Sequence, residues 1–167
     1  MSRSHKAWWL NTKWVVYVLC IVLAGCFSSE RDSQHAEKVF YEKKNLFMEM
    51  NAILLAHPSI YRMDINTNYR NSEKYGAFDA DDEKAYREVQ RICSTLDIQT
   101  AIVSKESSSS PVLFIDYITS SAGLAISGYA VSVSYIVDDD SLRWLKSLGV
   151  SIKSLTEKNW YVTIYES

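Results

Sequence analysis

The sequence predicts an α+β fold, with two amphipathic helices packed on one face of an antiparallel sheet of about four to five strands. Apolar residues recur at three- and four-residue spacing in two segments ahead of Asp97, and an alternation of period two takes over after it. The connections between the alternating segments are short and polar, which suits antiparallel neighbours. Of the 167 residues, 47% are hydrophobic and 13% aromatic, enough apolar surface to bury one core.

The first 25 residues read as a leader. Arg3, Lys6 and Lys13 give it a positive start, and the uncharged run WVVYVLCIVLA follows. That run suits the apolar centre of a signal peptide and is short of the ~20 residues a membrane-spanning helix needs. Next comes Leu23-Ala24-Gly25-Cys26, an apolar residue, two small ones and a cysteine. This tetrad resembles the lipobox of bacterial lipoproteins that signal peptidase II cleaves. The resemblance implies cleavage before Cys26, a diacylglycerol and an N-acyl chain on that cysteine, and attachment to a membrane with the domain facing the periplasm. Several acyl chains on one residue make such attachment stable. In these lipoproteins an Asp after the cysteine favours inner-membrane retention. Phe27 stands there instead, so the outer membrane is expected, with the periplasmic side of the inner membrane as the alternative.

The expected organisation is therefore a signal peptide over 1–25, a lipidated cysteine and polar tether over 26–34, and a single domain over 35–167. Within the domain, Ala36, Val39, Phe40, Leu46, Phe47, Met50, Ile53 and Leu54 mark the first amphipathic helix, which must stop before Pro58. Residues 59–78 lack a period and are expected as an ordered loop. A second helix opens at Asp79 or Asp81, where Asp81, Asp82 and Glu83 favour the positive end of the helix dipole, and its apolar face is Ala85, Tyr86, Val89, Ile92, Cys93 and Leu96.

Strands are expected over 98–104, 112–119 and 124–137, the first two joined by a serine-rich loop. In the third, Tyr129, Val131, Val133, Tyr135 and Val137 should face the helices while Gly128, Ala130, Ser132 and Ser134 face away. The acids at 138–140 cap a short helix over 142–148 that Gly149 closes, and 150–155 with 160–166 form a final hairpin. Gly128-Tyr129-Ala130, then Leu142 and Leu145, then Trp160-Tyr161, resemble a loose class of small bacterial lipoproteins without assigned activity.

Several kinds of chemistry find little support. After Cys26 the chain has 15 basic and 20 acidic residues, so its formal charge of −5 argues against nucleic-acid binding. No metal-ligand spacing and no serine-hydrolase elbow occur, so no metal, catalytic residue or cofactor beyond the Cys26 lipid is expected. Cys93 lies on the apolar helix face, as a buried thiol would. His35 and His57 are placed for capping or solvent exposure. Asp116 interrupts the apolar strand 112–118 and is expected either at an exposed edge or in a salt bridge, with a catalytic role as the alternative.

Tyr61, Arg62, Tyr69, Arg70 and Tyr75 are residue types enriched where proteins dock, and they stand as candidate partner-binding residues. The expectation is a non-enzymatic lipoprotein that binds another protein in the periplasm, with an immunity protein against a periplasm-acting toxin as a specific form. A structural or envelope-maintenance lipoprotein is the alternative.

Overall fold

The computed structural model describes residues 5–65, 78–107, 110–123 and 128–166, with side chains from residue 29 onward. Its elements are α1 (His5–Ala56), β1 (Arg62–Asp64), α2 (Ala80–Leu96), β2 (Thr100–Lys105), β3 (Val112–Ala122), β4 (Tyr129–Ile136), α3 (Asp139–Ser147), β5 (Ser151–Ser154) and β6 (Trp160–Glu166). The strands form one antiparallel sheet in the order β1-β2-β3-β4-β6-β5. The α+β class is as expected, with six strands rather than four or five. The additional strand is β1, three residues inside the segment expected as a loop, too short to carry a visible alternation.

α1 and α2 cover one face of this sheet. Ala36, Phe40, Phe47, Met50 and Leu54 of α1 are buried, as the spacing requires. Lys43 leaves helical geometry (φ −125°, ψ 24°) and bends α1, with Phe40 and Phe47 on either side of the bend both against Trp160. The helix ends before Pro58, where the His57 amide still reaches Ile53 O at 3.0 Å.

α2 begins where Asp79 accepts from the amides of Asp81 and Asp82 at 2.9 and 2.8 Å. It ends at Asp97 in the left-handed region (φ 55°). All six residues of its expected apolar face are buried. The helices are tied together by Cys93, whose thiol lies 3.6 Å from Met50 Sδ, and by a 2.9 Å contact between His57 Nδ1 and Asp82 Oδ1. Burial alone would raise the Asp82 carboxyl; hydrogen bonds from Ser59 and His57 outweigh it and hold the pKa below its ordinary value.

β4 carries the expected alternation. Val131 and Val133 lie in the core beneath the helices with Tyr129 and Tyr135 packed against it, while Ala130, Ser132 and Ser134 are buried on the other face. The strand starts at Tyr129; residues 124–127, expected at its beginning, lie outside the described residues, and β4 ends at Ile136, although the Val137 amide still donates to Leu113 O at 3.0 Å. α3 packs on the far face, where Leu145 joins Phe114 and Ile136 in a smaller apolar cluster. Asp138 caps it, accepting from the Ser141 amide at 2.7 Å, and Gly149 follows at φ 82°.

Residues 27–34, expected as a polar tether, lie inside α1. Glu30, Arg31 and Gln34 are exposed there, and all three are good helix formers. Helical residues there already meet the sheet, because the Tyr129 hydroxyl donates to Asp32 Oδ2 at 2.8 Å.

Candidate functional site: an aromatic cleft beside a short helix

The sheet is incompletely covered on the side away from α1 and α2. α3 sits over one end, and between it and the ends of β2 and β3 lies a cleft of about 450 Å³. Its floor is Phe114 and Leu113, and Trp144 of α3 forms one wall, 6.1 Å from the Phe114 ring at an interplanar angle of 33°. Ser141 and Leu145 are the buried positions of α3, which puts Trp144 on its flank, 49% exposed. Among the described residues it is the most exposed of the large aromatic side chains, ahead of Tyr41 at 42%.

The rim is acidic. Glu106, Asp138 and Asp140 border the cleft against Lys105, whose ammonium reaches Pro58 O at 3.4 Å. Asp138 also caps α3, and hydrogen bonds from the Ser141 amide and hydroxyl hold its carboxyl below the ordinary range, so it is charged. Asp140 pairs with Arg143 one turn on. Strand register shifts between Ser104 and Lys105, so a local irregularity in β2 shapes this rim.

Of the expected partner-binding residues, Tyr61 lines this cleft. Arg62 lies on the edge strand with its guanidinium against Asp64, at 2.9 Å from Nε to Oδ2. Tyr69, Arg70 and Tyr75 lie outside the described residues. Sequence reasoning missed Trp144, Phe114 and the acidic rim as a unit. The available signal was a tryptophan in a capped nine-residue helix whose core face was already supplied by Leu142 and Leu145.

Asp116 presents different chemistry. It lies in β3, third of the six strands, opposite Ile102 on β2 and Ser134 on β4. It is buried (6% exposed), which corrects the expectation of an edge, and it has hydroxyl partners rather than a salt bridge. Ser134 donates to Oδ1 at 2.5 Å and Tyr165 to Oδ2 at 2.7 Å. With its one proton given to Asp116, Ser134 accepts from Thr163 at 2.6 Å. Burial pushes the Asp116 carboxyl up to about 6, against the two hydrogen bonds that favour its charged form. The same enclosure raises Tyr165.

This network pins β3, β4 and β6 together, and among the described residues the partners on the carboxylate are hydroxyls rather than a base or second acid. His57 is engaged with Asp82, His35 is exposed on α1, and the Cys93 thiol is pushed up to about 12 by burial. Among the described residues no cluster of histidine, cysteine and acidic side chains could hold a metal ion, and no helix is long and apolar enough to cross a membrane. Comparison with protein-family models, curated proteins and solved structures finds no match. The functional reading therefore stands on these residues alone.

Proposed function

We propose that the chain is a lipoprotein cut before Cys26, anchored by lipid on that cysteine in the outer membrane and facing the periplasm, whose domain binds another protein without enzymatic action. Leu23-Ala24-Gly25-Cys26 after a positive start and an apolar run supports the anchor. The observation that carries the binding role is Trp144, half exposed over Phe114 in a cleft with an acidic rim. Exposed tryptophan in a concave apolar site is the chemistry of interface anchors. Glu106, Asp138 and Asp140 outnumber Lys105 and Arg143, the partner of Asp140, and this excess favours a polypeptide segment that places a basic residue beside an apolar one. Protection against a basic, periplasm-acting toxin is the specific form this binding takes.

Two measurements test the reading. Intact mass of the membrane-extracted protein is expected to give a lipid-bearing product starting at Cys26, and Cys26→Ala is expected to abolish it; an unprocessed chain in both samples overturns the anchor. For the cleft, a photo-reactive residue at Ser147 is expected to yield a discrete adduct in cells that Trp144→Ala removes. Half of the ring is buried, on the order of 100 Å², so Trp144→Ala should lower folding stability by about 2 kcal/mol, about half the cost expected for a fully buried tryptophan. An adduct indifferent to Trp144 would place the docking surface elsewhere.

A further inference from the structure

The path of α1 determines which end of the domain meets the membrane. Tyr129 holds Asp32, Ala36 is fully buried, Lys153 Nζ donates to Glu37 at 2.5 Å, and Phe40 lies 5.1 Å from Trp160. In β4 and β6, Tyr129 pairs with Glu166 at one end and Tyr135 with Trp160 at the other. α1 thus enters over the Tyr129 end and runs toward the Trp160 end. Phe114 pairs with Ile136, and α3 follows directly after β4, so the Trp144 cleft lies at the end toward which α1 runs.

Helical backbone continues from Cys26 into these contacts. The six residues from Cys26 to Asp32 span about 9 Å of helix, and the eight residues of β4 add roughly 26 Å beyond it.

We propose that α1 is a stiff stand-off that holds the domain upright close to the bilayer, with the Trp144 cleft at the membrane-distal end, open to a soluble basic polypeptide. This rests on the lipid anchor at Cys26. A helix in place of a tether fixes both height and orientation, whereas a flexible polar linker would let the cleft sample every direction. A partner embedded in the same bilayer would have to reach past the whole length of the sheet. A soluble one meets the cleft first.

The test uses the full lipidated protein on phospholipid vesicles carrying nitroxide-labelled lipids near the headgroup. A thiol-reactive fluorophore is placed at Ala122→Cys, beside Tyr129, or at Ser147→Cys, at the end of α3. Cys93 is buried and stays unlabelled, and on the proposed anchor the lipid leaves no free thiol at Cys26. Fluorescence is expected to be lost at position 122 and kept at position 147. Equal loss at both positions, or greater loss at 147, overturns the orientation. Insertion of a glycine-serine stretch between Ser28 and Ser29 should erase the difference; a difference that survives it shows that α1 does not set the orientation. Intact mass of the same sample separates the two readings. Without lipid on Cys26 the anchor fails and this proposal with it, whereas lipid together with equal quenching removes the orientation alone.

Discussion

Trp160→Ala is expected to lower folding stability by about 4 kcal/mol, in the range for removing a large aromatic from a packed core. Trp160 is the side chain on which α1 and the sheet converge. It is 2% exposed, stacks on Tyr117 at 6.0 Å with rings 18° from parallel, and meets Tyr135 at 5.4 Å on the neighbouring strand. Phe40 at 5.1 Å and Phe47 at 6.1 Å approach it from α1 on either side of the Lys43 bend. Truncation leaves these four rings facing a void that neither the bent helix nor the hydrogen-bonded strands can close. The denaturant midpoint should fall without a change in slope, and the thermal midpoint should drop by about 10 °C. Trp160→Phe, which keeps a ring in the site, should cost clearly less. A Trp160→Ala protein within about 1 kcal/mol of the parent would mean that α1 is not seated on this ring.

Much of this core was legible because each half follows its own period. The α2 face was readable residue by residue, since six apolar positions at helical spacing leave one way to orient seventeen residues. The two faces of β4 were equally readable from strict alternation. Strand register was not. β3 and β4 are joined by a connection that includes 123–128, and their ladder shifts between Ile118 and Ser120, so nothing in the sequence places Asp116 opposite Ser134. Without that register the carboxylate has no visible partner, and an edge or a salt bridge is the natural expectation. The cleft was hidden for a related reason. Phe114, Tyr61 and Trp144 are far apart in the chain and meet only because α3 folds back over the sheet end where β2 and β3 pair. The continuity of α1 through residues 27–34 was masked by composition, because a solvated helix and a polar linker use the same residues.

Asp116→Asn should change how stability depends on pH more than it changes stability at any single pH. In the folded protein burial lifts the Asp116 carboxyl from 3.8 to about 6. The folded state therefore holds this proton more tightly than the unfolded chain does, and between these values stability falls as pH rises. The favourable contribution is complete below about pH 4 and is gone once pH has passed through about 6, a swing of about 3 kcal/mol from the two-unit difference. Other carboxyls act in the opposite sense: Asp82 and Asp138 are held low, and their contributions are lost as pH falls. The informative quantity is accordingly the difference between variant and parent, in which these distant groups cancel. The amide introduced by Asp116→Asn keeps an acceptor for Ser134 and cannot ionise, so the variant should gain on the parent by about 3 kcal/mol between pH 4 and pH 7, read from denaturant midpoints at each pH. Tyr165→Phe moves the same equilibrium the other way. Losing a donor to the carboxylate should raise the Asp116 pKa further and cost more at pH 7 than at pH 4, where the neutral acid needs the phenol less. A variant-minus-parent difference that stays flat across this range would show that Asp116 titrates as an exposed carboxyl does, and that the hydroxyls of Ser134, Thr163 and Tyr165 do not enclose it.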